Sequence, residues 1–294
     1  MMIKRSLLDK TFDFINIVFL SLCAVACIYP FWHVLVKSLL PYQEIMKSDF
    51  YFFPYKVTLE PYLYILHSDK LLNGLIISIA VTLTGTIYQL MITAMTAYGL
   101  SKKNLPGRNI IFIFIIITMF FSGGLIPYYL LIKKLGLIDN ILVLVIPAAI
   151  STFNMIVMKN FFASLPAEME ESAKVDGYGY FCIFVYIILP LSKPVVATIS
   201  LFIAVAHWNN WFTPMLFINT QEKWPLQLIL RDILIQNNID FLRRAVITST
   251  NKDFLLKENI KMAIVIVSVT PIIIIYPFIQ KYFVKGVMIG AIKS

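Results

Sequence analysis

Six stretches of this chain are long and apolar enough that only a lipid bilayer accounts for them. They run over about Phe14–Val36, Leu71–Leu100, Ile110–Ile132, Ile141–Met158, Leu189–Phe217 and Met262–Ile279. Each is close to the roughly 20 residues that a helix needs to cross the hydrocarbon core. Of 25 basic and 16 acidic residues, only Lys193 falls inside one of them. A backbone in hydrocarbon must satisfy its own hydrogen bonds, so each stretch is expected to be helical. The expected fold is therefore all-α: a polytopic integral membrane protein with about six transmembrane helices. Composition agrees. The 294 residues are 59% hydrophobic and 14% charged, against roughly 25% charged in a soluble domain. Disordered, collagenous, coiled-coil and disulfide-scaffold classes fall on the same numbers. The net charge of +9 is then assigned to loops and lipid headgroups, not to nucleic acid.

Smaller features follow from that setting. Lys4 and Arg5 precede the first stretch as in a signal peptide. The stretch exceeds 20 residues, so a retained first span is expected. Cys23, Cys27 and Cys182 have no metal spacing and are read as small buried hydrophobes. Lys and Arg divide almost evenly between the two sides, although the short loop with Lys102, Lys103 and Arg108 favours a cytoplasmic N-terminus. The loops Lys37–Lys70 and Ile218–Lys261 are long and aromatic-rich, and are expected to be structured. In the second span Gly74, Ser78, Thr82 and Thr86 recur every fourth residue. Such a stripe lets another helix approach closely, inside the chain or across a subunit interface.

The near absence of charged residues from the spans argues against proton coupling, with sodium sites built from carbonyls left open, and the chain has no G-x4-G-K-[ST] to cradle ATP phosphates. Any driving energy must enter through a partner. The loop between spans four and five is where that can happen. Ser164-Leu-Pro-Ala-Glu-Met-Glu-Glu-Ser-Ala-Lys-Val-Asp-Gly177 reads as a short helix, with Pro166 in its first turn and Gly177 at its stop. Glu168, Glu170 and Glu171 sit at the positive end of its dipole. Glu170 and Lys174 are spaced for an i, i+4 pair. Met169, Ser172, Ala173 and Asp176 share one face, small enough for close docking; the bland alternative is an amphipathic connector.

The pattern Glu171-Ser172-Ala173, three residues, Gly177, nine residues, Ile187-x-Leu189-Pro190 resembles the EAA loop of ABC importer permeases, E-A-A-x3-G-x9-I-x-L-P. Ser172 for the first alanine is the one departure. Leu165-Pro166, Leu191-Ser-Lys-Pro194, His207-Trp-Asn-Asn-Trp-Phe-Thr-Pro214 and the tail Gly286-Val-Met-Ile-Gly-Ala-Ile-Lys293 are similar to the carbohydrate-uptake branch, typified by the smaller maltose permease subunit. Trp224-Pro-Leu-Gln-Leu-Ile-Leu-Arg231 further resembles a sub-branch associated with complex oligosaccharides, so a uronate-containing cargo is a hypothesis. The resemblance implies a type I importer in a bacterial cell membrane, with both termini cytoplasmic. Residues 1–70 would form a tail, first span and outer loop, and 71–294 a permease core with its EAA loop at about 164–190. The implied partners are a second homologous permease subunit, two cytosolic ATP-binding subunits, an extracytoplasmic solute-binding protein and membrane lipid. ATP and magnesium would belong to the ATPase subunits, with no cofactor on this chain. Glu170, Glu171, Ser172, Ala173, Asp176, Gly177, Ile187, Leu189 and Pro190 would couple to the ATPase.

Sugars are recognised by aromatic faces together with amides and hydroxyls. Trp208, Asn209, Asn210 and Trp211 offer both, although two tryptophans also suit an interfacial belt. Tyr88, Gln89 and Asn154 are polar residues within the spans, fit for a cavity wall or for helix–helix hydrogen bonds. His33, His67 and His207 are isolated, and no nucleophile–base or carboxylate pair stands out. The leading expectation is a sugar or oligosaccharide permease without enzyme activity of its own. A permease for a non-sugar solute, or a membrane channel or enzyme outside this family, are the alternatives.

Overall fold

The computed structural model describes residues 7–45, 47, 50–235 and 258–291. Lys4, Arg5, Ile292, Lys293 and residues 236–257, half of the second long loop, lie outside them. Every regular element among the described residues is helical. Three helices are each long and apolar enough to cross a bilayer: α1 (Leu7–Leu39), α3 (Asp69–Ser101) and α12 (Glu258–Ala291); a short α2 (Glu60–His67) precedes α3. Three bent pairs bring the number of candidate spans to six.

The bent pairs are where the expected continuous spans fail, and the breakers are local. α4 (Arg108–Phe120) and α5 (Leu125–Lys134) meet at 115°. Ser122-Gly123-Gly124 separates them, and Gly124 sits at φ 86° and ψ 169°, a conformation open essentially to glycine alone. A second pair joins the short turns Ile141–Ala148, with Pro147 inside them, to α6 (Thr152–Ala163) at 45°. Ser151 restarts the helix by accepting a hydrogen bond from the Asn154 N–H at 3.5 Å. The third pair is α8 (Tyr180–Leu191) and α9 (Lys193–Trp208), which turn by 87° around Ser192. Pro194 cannot donate to an i−4 carbonyl, so a new helix starts there. The remaining helices longer than four residues are α7 (Glu168–Val175), α10 (Phe212–Phe217) and α11 (Leu226–Ile235).

The chain divides into two compact units, residues 1–69 with 233–269 and residues 70–232 with 270–294. In the first, the apolar window of α1 has none of its residues buried. Only its end packs, where Val36, Leu40 and Ile45 form a small core with Trp32 and Tyr51. The long loop after α1 is structured, as expected. Glu44 is buried and accepts hydrogen bonds from Lys47 at 2.9 Å, Lys56 at 2.8 Å and the Tyr55 hydroxyl. Those partners, Lys56 first, hold its carboxyl down at about 2.

The second unit has two cores on α3. Ile77 and Val81 pack with Ile132, Val143, Leu144, Phe217 and Ile218 near its start. Ala94, Ala97, Tyr98 and Leu100 pack near its end with Met155, Met158, Phe162, Ala173, Ile183, Phe184 and Ile188. The small-residue stripe of α3 is used inside the chain. Gly74 lies against Trp224 and Ile229, where an added Cβ would stand 2.5 Å from the Ile229 side chain. Ser78 accepts a hydrogen bond from the Leu226 N–H at 2.8 Å, so its hydroxyl caps the first turn of α11. The three cysteines, expected to be buried, are exposed on the chain surface. In a bilayer the exposed face is the apolar one, so small hydrophobes there need no cover from this chain.

Candidate functional site

The candidate coupling site is α7 with its flanking turns. Its start has no side-chain cap, and Glu168, Glu170 and Glu171 stand in the first turn, at the positive end of the helix dipole. Pro166 lies just before the helix rather than in its first turn, and Ala167 takes the cap position. The stop is a Schellman motif. Gly177 N–H donates to the Lys174 carbonyl and Tyr178 N–H to the Ala173 carbonyl, both at 3.0 Å. Gly177 has φ +81°, the left-handed value the motif requires.

Two contacts fix the helix. Ala173 is buried among Tyr98, Phe162 and Phe184. Glu170 forms an ion pair with Lys102, from the turn after α3. The expected Glu170–Lys174 pair does not form. Lys174 instead lies over the Tyr180 ring at 4.7 Å, while Lys102 lies 4.1 Å from the centroid of Tyr98. The tertiary partner wins because Lys102 is held in place by that ring, whereas an i, i+4 pair in solvent is worth only about 0.3 kcal/mol.

The face built from Met169, Ser172, Ala173 and Asp176 does come together. With Tyr178, Tyr186 and Ile187 it lines a groove of about 400 Å³. The groove thus unites the two halves of the motif, which lie ten or more residues apart in the chain. Glu171, Ser172, Asp176 and Gly177 are exposed, Ile187 and Leu189 half-buried, and Pro190 exposed. A π turn at Phe184–Ile188 ends two residues before Pro190. It loosens the ladder where proline removes a donor and crowds the preceding turn. No metal-binding cluster of His, Cys, Asp or Glu occurs among the described residues. The arrangement can dock and transmit a displacement; it offers no nucleophile or acid–base pair.

The expected pathway residues separate into different surroundings. Gln89 and His207 are buried and meet at 3.2 Å between the Gln89 Oε1 and His207 Nε2 atoms. His207, read as isolated, is therefore paired. Gly85 makes the room, since an added Cβ would stand 2.7 Å from the imidazole. Tyr88 is half-buried and Asn154 buried. Trp208 lines an apolar pocket of about 140 Å³ with Thr82, Leu201, Pro271 and Ile275. Asn209 is exposed at the end of α9, and Asn210 Oδ1 accepts from the Thr213 N–H at 3.1 Å, a capping role. Trp211 packs edge-on against Phe212 and lies under the Arg231 guanidinium at 4.7 Å.

Asp139 escaped the sequence reading. At φ +57° it accepts from Asn219 N–H at 3.0 Å, Thr220 N–H at 2.9 Å, Thr220 Oγ1 at 2.7 Å and Lys223 Nζ at 2.8 Å. It ties the turn after α5 to the segment after α10. Lys223 first, then Thr220, holds its carboxyl below the ordinary carboxylate range. No local pattern advertises a partner about 80 residues away, and the positive φ, which Asp tolerates, is visible only in the structure.

Comparison with known proteins decides the family. Residues 108–289 match the family described as binding-protein-dependent transport system inner membrane component. The chain belongs to this family. The permease is 41% identical over 290 residues to Protein LplC of Bacillus subtilis, covering 97% of this chain and 96% of that protein. To the polygalacturonan/rhamnogalacturonan transport system permease protein YtcP of the same organism it is 40% identical over 286 residues, covering 97% and 99%. A chain from the crystal structure of a bacterial ABC transporter importing the acidic polysaccharide alginate superposes with a TM-score of 0.88 at 31% identity, covering 96% of the permease and 100% of that chain. The permease is accordingly a membrane-embedded transport subunit of a multi-component ABC importer, and not itself an enzyme.

Proposed function

We propose that this permease conducts acidic, uronate-containing oligosaccharides into a bacterial cell, drawing on ATP hydrolysis by partner subunits. The observation that carries the cargo is its 40% identity, along nearly its whole length, to a polygalacturonan/rhamnogalacturonan permease. The likeness to an alginate importer chain supports the same class, because alginate too is an acidic polysaccharide. A second homologous permease, two cytosolic ATP-binding subunits and an extracytoplasmic solute-binding protein complete the transporter. ATP and magnesium sit on the ATP-binding subunits. The groove beside α7 takes a surface of the ATPase, with Glu171, Ser172 and Asp176 at the contact and Gly177 holding the turn. Because α8 follows α7 after a short turn, closure of the ATPase dimer is passed to α8 and α9. The groove then faces the cytoplasm, and so do both termini.

Two measurements test the reading. Cells carrying the intact transporter should take up labelled oligogalacturonides, and cells lacking this chain should not. Exclusive uptake of neutral oligosaccharides overturns the cargo. Gly177→Trp or Glu171→Lys should abolish co-purification of the ATPase and transport together; normal association and uptake in both variants refutes the coupling site.

A further inference from the structure

Helix α11 carries Arg231 and Asp232 side by side, and neither forms an ion pair among the described residues. Asp232 is 4% exposed, and burial pushes its carboxyl above the ordinary carboxylate range. Arg231 lies 4.7 Å over the ring of Trp211, and its Nε is buried without a hydrogen-bond partner. A buried donor left without a partner destabilises the protein, so the side chain is not held there by hydrogen bonds of its own Nε.

Two other cations among the described residues are placed elsewhere. Lys223 is committed to Asp139 at 2.8 Å. Lys193 lies at the far end of α9 from Trp211, about 24 Å away along the helix at 1.5 Å per residue. A guanidinium over an indole keeps donors arranged as a fork, which matches a carboxylate and not a hydroxyl. Trp211 is 40% exposed. The free part of its ring can pack on the apolar C–H face of a pyranose. Together these supply the two features of an acidic sugar, a ring face and a planar anion, and they do so in one side-chain pair.

We propose that Trp211 and Arg231 form a recognition pair for the uronate residues of the cargo, the indole packing on a sugar ring and the guanidinium binding its carboxylate. The proposal rests on the acidic-oligosaccharide reading above. A neutral sugar of the same shape would leave the fork unpaired, so the pair discriminates by charge.

The test uses the whole transporter with its binding protein in proteoliposomes. Uptake of trigalacturonate and of its fully methyl-esterified form is compared, since the ester keeps the sugar and removes the charge. For Arg231→Gln the acid-to-ester preference should fall about tenfold relative to the wild type. Arg231→Lys, which keeps charge but not the fork, should fall in between, and Trp211→Ala should weaken uptake of both. An unchanged preference in Arg231→Gln and Arg231→Lys overturns the pair, even if total uptake drops, because a structural defect lowers both substrates together. A wild-type transporter that imports neither form overturns the cargo reading and the pair with it.

Discussion

Asp139 shows how much a single side chain can organise. Four donors converge on it from a segment about 80 residues away, and its own N–H donates to the Phe217 carbonyl at 2.7 Å. Because Lys223 and Thr220 depress the folded-state value, the carboxylate stabilises the fold above its unfolded value, about pH 4. That stabilisation is lost as pH falls through the folded value. Asp139→Asn should lower the apparent Tm of the detergent-solubilised protein by a few degrees at pH 7. The gap to the wild type should close progressively below about pH 4. A constant gap down to pH 2 would show that the carboxylate charge is not what matters. The residue was not legible in the sequence, since a lone Asp after Gly136-Leu-Ile looks like any turn residue. Gly177 was legible, because its place after a short polar helix demands a left-handed conformation.

At the scale of elements, α11 and α7 are each secured by one polar contact across the chain. Leu226 N–H is one of the orphan donors of a helix start, and Ser78 of α3, itself buried, accepts from it. Ser78→Ala should cost about 1–3 kcal/mol, the penalty for a buried donor left alone. Thermal unfolding or protease resistance of the purified permease reads this, and a loss below about 0.5 kcal/mol would refute the capping role. For α7, the Lys102–Glu170 pair is partly exposed, at 23% and 14% of the side chains, so screening limits it to roughly 1 kcal/mol. Lys102→Glu should therefore cut transport-coupled ATP hydrolysis about fivefold, and the exchange Lys102→Glu with Glu170→Lys should restore most of it. Failure of the exchange to rescue would mean that the charges do not act as a pair. The i, i+4 rule pointed to Lys174 as partner, because sequence spacing sees only one helix at a time.

For the whole molecule, the side of the membrane is the quantity that the sequence charge leaves open and that the proposed coupling site predicts. In a background with Cys23, Cys27 and Cys182 replaced, Ser172→Cys should react with a membrane-impermeant thiol reagent only from the cytoplasmic side. Labelling from outside intact cells would invert the topology. Six apolar stretches, their helical state and the coupling motif were all written in the sequence, for a physical reason: hydrocarbon tolerates no unpaired backbone and few charges, so composition along the chain is forced. The bends were only half written. Gly123-Gly124, Pro147 and Pro194 mark the places, but whether a proline kinks a span or divides it depends on what packs beside it. Tertiary structure alone chose the partners. It set Gln89 against His207 in the room left by Gly85, Trp211 under Arg231, Lys102 on Glu170, and Asp139 on the Thr220 segment. Each of these pairs joins residues 20 to more than 100 positions apart. Local propensity reaches about one helical turn, so contacts at that separation exist only once the helices have been brought together.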